Sequence, residues 1–212
     1  MVTEIRIYVE GGGDRTDTKA LIREGFGKFL APLRQLARER RIGWSITVCG
    51  GRTAAFDNFK TAQETHPEAF LVLLVDSETP VVGGRWEHLQ RQDGWESGGL
   101  VEEHCHLMVQ TVEAWLIADP DALAGYYGQH FNRKALPKHK DVEAVPKEQL
   151  LDKLKQATEK TQKGSYAKIR HCADLLGRLN PDRVRQRARH CDLLFSSLES
   201  LLRERKDSSL SP

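Results

Sequence analysis

The sequence predicts an α/β fold: a mainly parallel sheet of about four strands flanked by helices, with a C-terminal helical extension. Three observations carry this reading. Two short apolar runs, Ile5-Arg6-Ile7-Tyr8-Val9 and Phe70-Leu71-Val72-Leu73-Leu74-Val75, read as buried strands. Strand-like and helix-like segments alternate, the order that gives parallel pairing through right-handed crossovers. Carboxylates follow each apolar run at once: Glu10 in Val9-Glu10-Gly11-Gly12-Gly13-Asp14, then Asp76 and Glu78 in Leu74-Val75-Asp76-Ser77-Glu78.

Taken in order, the first strand covers about 4–10 and runs into the glycine turn. A single long helix is expected over about 16–41, capped by Thr16 or Asp17, with Leu21, Phe26, Phe29, Leu33 and Leu36 near helical spacing. A second strand, 44–49, turns through Gly50-Gly51-Arg52-Thr53 into a helix over 53–66 that Pro67 closes. The third strand is 69–75. Residues 79–102 hold Pro80, five glycines and two tryptophans, and read as a long loop. In it Trp86 and Trp95 either close over a substrate and stack on bases or pack as loop anchors. A fourth strand (104–109) leads into a helix over 111–118, and Asp119-Pro120 starts a short helix through Tyr127.

A polar stretch, 131–147, then separates an α/β domain (1–130) from a basic helical region (131–212) packed on it or extending it. In that region Ile169, Cys172, Leu176 and Leu179 form one apolar stripe. Val184, Ala188, Cys191, Phe195, Leu198 and Leu202 form another, and such stripes offer a surface for a homodimer. Asn180-Pro181 is a capped helix start, and the last six or so residues are expected to fray.

A chain of 212 residues is long enough for one domain with its own core, or one domain with a helical appendage. No apolar stretch approaches the roughly 18 residues of a membrane span. Met1 leads straight into a strand, without the apolar core of a secretion signal. Cys49, Cys105, Cys172 and Cys191 are scattered and form no C-x-x-C pair, which suits reduced thiols in a cytoplasmic protein. Net charge is only +2, but it is unevenly spread. Residues 1–130 carry 13 Lys/Arg against 19 Asp/Glu, and residues 131–212 carry 19 against 11. An acidic front half and a basic back half suit a polyanionic substrate, although charged helix surfaces are also ordinary.

Carboxylates at the C-terminal ends of two strands stand where an open α/β sheet has its ligand crevice. Several of them together repel one another unless a hard cation lies between, and Mg²⁺ takes oxygen ligands of this kind. The metal-ligand candidates are therefore Glu10, Asp76 and Glu78, the last two sharing one face if the segment is extended. Glu113, in the apolar context Thr111-Val112-Glu113-Ala114-Trp115, needs a cation or an ion-pair partner and is a fourth candidate. Gly11 and Gly12 allow close backbone approach to a phosphate. Arg52, at a glycine turn opening a helix, is an anion-binding candidate. Lys168 and His171, three apart on a helix, could face phosphate charge in the same way. No P-loop and no dinucleotide-binding fingerprint occurs. The His–Cys neighbours match no zinc spacing, and no cysteine except Cys49 sits in an electropositive turn that would suit a nucleophile.

The pattern Val9-Glu10-Gly11-Gly12-Gly13-Asp14 followed by Val75-Asp76-Ser77-Glu78 resembles the Toprim fold of topoisomerases, bacterial primases and overcoming-lysogenization-defect nucleases. The resemblance implies that Glu10 is the general acid/base glutamate and that Asp76 and Glu78 are the metal pair. Glu78 stands where that family usually has an aspartate. A closer resemblance is to the family of domains of unknown function numbered 4276. It rests on Cys49-Gly50-Gly51-Arg52, Val75-Asp76-Ser77-Glu78, Glu113-Ala114-Trp115-Leu116-Ile117-Ala118-Asp119 and Ser165-Tyr166-Ala167-Lys168, and covers most of 4–200. Related Toprim proteins often work beside an ABC-type ATPase in bacterial defence against phages and plasmids, which implies such a partner here. Some use a C-terminal lysine at the metal site, a role that falls to Lys168.

The function expected from all this is a nuclease, or related phosphodiester-processing enzyme, acting on DNA or RNA with Mg²⁺ or Mn²⁺. Asp76, Glu78 and Glu113 would hold metal, Glu10 would bind it or move a proton, and Arg52 and Lys168 would stabilise phosphate charge. The alternatives are an interaction module of an ATPase complex with little activity alone, and phosphate chemistry on a small nucleotide. An apolar tail surface at Phe195 and Leu202 left uncovered would favour the first, and a narrow pocket in place of a long basic groove the second.

Overall fold

The computed structural model describes residues 2–204. The last residues, expected to fray, lie outside the described residues from 205 onward. Strand β1 (Glu4–Glu10) is followed by helices α1 (Thr16–Phe29) and α2 (Ala31–Glu39), strand β2 (Gly43–Gly50) and helix α3 (Arg52–Thr65). Then come β3 (Ala69–Asp76), α4 (Arg85–Asp93), a 3₁₀ turn at Glu102–His104 and β4 (Cys105–Met108). Helices α5 (Glu113–Ala118) and α6 (Pro120–Tyr127) precede two more 3₁₀ turns, Arg133–Ala135 and Val142–Ala144. The described residues close with α7 (Lys147–Thr158), α8 (Lys168–Leu176), α9 (Pro181–Arg185) and α10 (Arg189–Glu204).

The four strands form one all-parallel sheet in the order β2-β1-β3-β4. From β1 the chain goes outward to β2, then returns to the other side of β1 for β3. The order in which strands are added therefore reverses between β1 and β3, and the crevice at their C-terminal ends is the natural ligand position in such a sheet. Glu10 ends β1 and Asp76 ends β3, so both carboxylates open on that crevice.

Both faces of the sheet are covered, as parallel sheets require. Ile5, Ile7, Val9, Val72 and Leu74 face a core built with α1, α2, α5, α8 and α10, centred on Phe29, Trp115 and Phe195. Tyr8, Leu71, Leu73 and Val75 face a smaller core with Phe56 and Phe59 of α3 and Trp86 and Leu89 of α4. The larger core runs unbroken across residue 130: Leu136, Val142 and Val145 are buried in it beside residues of the sheet. Among the described residues, no helix is long and apolar enough to cross a membrane.

Several expectations are corrected. The long helix over 16–41 is two helices broken at Leu30, because Pro32 cannot donate an N–H and its ring clashes with the preceding turn. The residue capping α1 is Arg15, not Thr16 or Asp17, and Asp17 pairs with the Arg15 guanidinium. The expected loop over 79–102 contains α4. Its start is tied by Glu87 accepting the Gly84 N–H at 3.3 Å, and its end by Gly94 in the left-handed conformation (φ 72°). The tryptophans are buried anchors: Trp95 stacks on Phe56 with ring centres 4.4 Å apart, and Trp86 packs on Phe59. Neither is free to stack on a base. Ile169, placed in a core stripe, is 81% exposed because it sits on the outer side of the first turn of α8. Phe195 and Leu202 are fully covered, so no apolar tail surface is open there for a partner.

Candidate metal centre

The strand ends deliver three carboxylates to one place. Glu10, Asp76 and Glu78 each offer an oxygen, and the three oxygens lie within 4.8 Å of one another. Asp76 is buried at the end of β3. Its Oδ1 accepts the Val112 N–H at 2.8 Å, and its Oδ2 accepts the Lys168 ammonium at 3.1 Å. Glu10 Oε2 accepts the backbone N–H of Asp76 at 3.2 Å, stitching the two strand ends together. Glu78 is not in an extended segment as expected. It has a left-handed backbone (φ 63°), its N–H donates to the Gln110 carbonyl at 2.9 Å, and its carboxylate receives the Lys147 ammonium. The turn brings Glu78 to the other two carboxylates by a different route from the strand alternation that predicted it.

Proton affinities report the crowding. Burial first, and then the negative charge of Asp76, push the Glu10 carboxyl up to about 7, against the pull of Arg52. Burial also raises Asp76; the Lys168 ammonium opposes this and Glu113 adds to it. Burial works against the charge on Lys168, but Asp76 and Glu113 outweigh it and hold the ammonium well above the ordinary lysine value. With Glu10 and Asp76 both pushed towards the neutral form, a hard divalent cation among the carboxylate oxygens would offset the crowding. The residues present could hold one.

Glu113, the fourth expected ligand, lies outside this group of three. It is fully buried at the start of α5, where Oε1 accepts the Tyr166 hydroxyl at 2.9 Å and Oε2 lies 2.6 Å from the Thr111 hydroxyl. Its Oε2 is also 3.5 Å from Lys168 Nζ. Lys168 is thus suspended between Asp76 and Glu113, with its side chain about half exposed (48%). Arg52 is near the site but committed within it. Its guanidinium forks onto Asp93 (2.8 and 2.6 Å), lies over Trp95, and turns its remaining nitrogen to the Asp76 carbonyl and to Glu10. It braces the carboxylates and does not stand as an open anion site. His171 faces inward on α8, the side that carries Cys172 and Leu175 into the core. Its Nδ1 accepts the Ala167 N–H and meets the Tyr127 hydroxyl, both at 3.1 Å, so it does not reach a phosphate at the carboxylates.

The glycine turn behaves as a close-approach element. Gly11 donates to the Gly50 carbonyl at 2.8 Å, joining the ends of β1 and β2. Gly12 has φ 78°, and a Cβ there would lie 2.9 Å from the Lys19 backbone, so a side chain is excluded on two grounds. Beside Glu10, Asp76 and Lys168 a cavity of about 430 Å³ opens between this turn, α1 and α8.

Two supporting residues carry no sequence signal, and a third carries one without its role. Lys147 and Asp93 reach the site from distant segments, and nothing local marks either. Tyr166 was legible as part of Ser165-Tyr166-Ala167-Lys168, but only the fold turns its hydroxyl onto Glu113.

The DUF4276 family model, a domain of unknown function, matches residues 9–199. The chain belongs to this family. No curated protein and no solved structure matches it. The family match begins at the end of β1 and includes the three carboxylates and Lys168, so these site residues lie inside the family's domain.

Proposed function

We propose that the chain is a divalent-metal-dependent nuclease, or a related phosphodiester-processing enzyme, of Toprim-like fold. The observation that carries the reading is the meeting of Glu10, Asp76 and Glu78 at the β1/β3 crevice with Lys168 beside them. Mg²⁺ or Mn²⁺ held by the three carboxylates would neutralise and polarise a phosphate oxygen. Glu10, its carboxyl drawn towards neutral pH, is suited to hold or move a proton at the attacking or departing oxygen. The Lys168 ammonium stabilises negative charge that builds on the phosphate as the bond breaks. Glu113 and Tyr166 position that ammonium, and Arg52 fixes the backbone of Asp76 and the carboxylate of Glu10. Nucleic acid is the substrate this chemistry addresses, and the four free cysteines agree with residence in the reducing cytoplasm.

The test is a pair of measurements. Thermal melts with Mn²⁺ and Mg²⁺ compare the natural protein with Asp76→Asn, and both are then assayed on labelled single- and double-stranded DNA and RNA. Metal at ten times its Kd raises the melting temperature by roughly 3–6 °C in a chain of this size. The shift and the cleavage should vanish together in the variant. A natural protein indifferent to millimolar metal sinks the proposal.

A further inference from the structure

The cavity beside the carboxylates has two unlike ends. One end carries charge, from Glu10, Asp76 and Lys168. The rest is apolar, lined by Ile22 and Phe26 of α1, by Ile169, Cys172 and Leu176 of α8, and by Met108 of β4 and Val112 just before α5. A cation and a bare phosphate need only the charged end. The apolar end asks for a second, carbon-rich group attached to the phosphate. At about 430 Å³ the space lies in the lower part of the range of small-molecule sites, about 300–1,000 Å³, and is too small for a duplex.

Its width is set by the backbone. Helices α1 and α8 cross at Gly25, where a Cβ would lie 2.5 Å from the Ala173 carbonyl oxygen, so the two walls are held at a fixed spacing before any ligand arrives. Ile169 stands at the rim, 81% exposed. Among the described residues, the other exposed large apolar side chains, Leu21, Val82 and Val101, do not line the cavity. An apolar side chain left in water at the mouth of an apolar pocket is what a ligand's apolar face would cover.

We infer that this cavity is a base-binding subsite: it receives a single nucleobase while the attached phosphate lies at Glu10, Asp76 and Lys168. The inference rests on the proposed phosphodiester chemistry, since the only broad apolar faces a nucleic acid offers are those of its bases. A base in this position is unpaired, as in a free nucleotide, a strand end or a nucleotide turned out of a helix. The subsite thus makes the substrate a free nucleotide, an unpaired strand or a nucleotide turned out of a helix, and excludes a nucleotide that stays paired in its duplex.

Isothermal titration with Mn²⁺ present tests it, comparing adenosine and thymidine 5′-monophosphates with ribose 5-phosphate and inorganic phosphate. The nucleotides should bind at least about tenfold more tightly than ribose 5-phosphate, a difference of about 1.4 kcal/mol. Ile169→Ser should erase much of that difference and leave binding of Mn²⁺ and of ribose 5-phosphate unchanged. Because Ile169 is exposed, the variant keeps its fold, and Leu21→Ser on α1, outside the cavity, should change nothing. Short single-stranded oligonucleotides against blunt duplexes separate the sources. Mononucleotides binding as well as oligonucleotides identify a free nucleotide, and oligonucleotides binding far better identify a strand. Equal binding of nucleotides and ribose 5-phosphate overturns the subsite while Mn²⁺ binding leaves the metal centre standing. If Mn²⁺ itself does not bind, the metal centre fails and the subsite fails with it.

Discussion

Glu10→Gln is expected to stabilise the metal-free protein and at the same time abolish its response to metal. The reasoning starts from the carboxyl, raised from an ordinary value near 4.5 to about 7 by burial and by Asp76. The folded chain then holds a proton that the unfolded chain releases, so stability falls as pH rises from about 4.5 to about 7 and stays reduced above that. At about 1.4 kcal/mol per pH unit the cost at pH 8 is about 3 kcal/mol, and partial exposure of the Glu10 side chain brings it nearer 2. Glutamine has the same shape without the charge. In chelator at pH 8 the variant should melt roughly 4–8 °C above the natural protein, with the gap closing as the pH falls to 4.5. Mn²⁺ at about a hundred times its Kd, worth about 2.7 kcal/mol, should reverse the order, because only the natural protein gains a ligand. A purely structural glutamate gives the opposite result in chelator. If Glu10→Gln melts at or below the natural protein across this pH range, the picture of crowded carboxylates that a cation would relieve is wrong.

Three further outcomes follow from the same geometry. Lys168→Met leaves Asp76 and Glu113 facing each other without the ammonium. Cleavage should drop by about 10²–10³-fold, and chelator melts should show a loss of about 1–3 kcal/mol that Mn²⁺ partly restores. Gly25→Ala drives a methyl into the Ala173 carbonyl and should cost about 1–3 kcal/mol in urea unfolding while moving α8, with nucleotide binding weakened more than Mn²⁺ binding. His106 is wholly buried, and burial first, then Arg85, lowers its pKa to about 3. The unfolded chain takes up a proton below about 6.5 that the folded chain refuses, so stability falls as pH drops from about 6.5 towards 3. His106→Gln should flatten that acid limb, and a pH series of urea midpoints showing equal slopes in both proteins would count against it.

Much of the architecture was legible because it rests on local chemistry. Apolar runs of strand length, glycine turns and Pro67 marked β1, β2, β3 and α3 nearly to the residue. The same local rules were available but unused at Pro32, which splits α1 from α2, and at Gly94, which closes α4. Helical spacing was less reliable as a guide to facing. It put Ile169 in the core and His171 towards a phosphate, and the fold did the reverse with both. Period alone says which residues share a stripe, and only packing against α1 says which stripe is inside.

By itself the sequence determined where the carboxylates stand along the chain. A strand that ends in Glu10 and another that ends in Asp76 must present both at the same edge of a parallel sheet, because parallel strands end together. What only the tertiary structure decided is what those carboxylates meet. The strand order makes β1 and β3 neighbours, a left-handed turn swings Glu78 in, and α8 brings Lys168 across 92 residues of chain to Asp76. The same folding assigns Glu113 to hold the lysine and Arg52 to brace the strand ends. Charge interactions depend on distance through space and on burial, and neither is written in sequence separation.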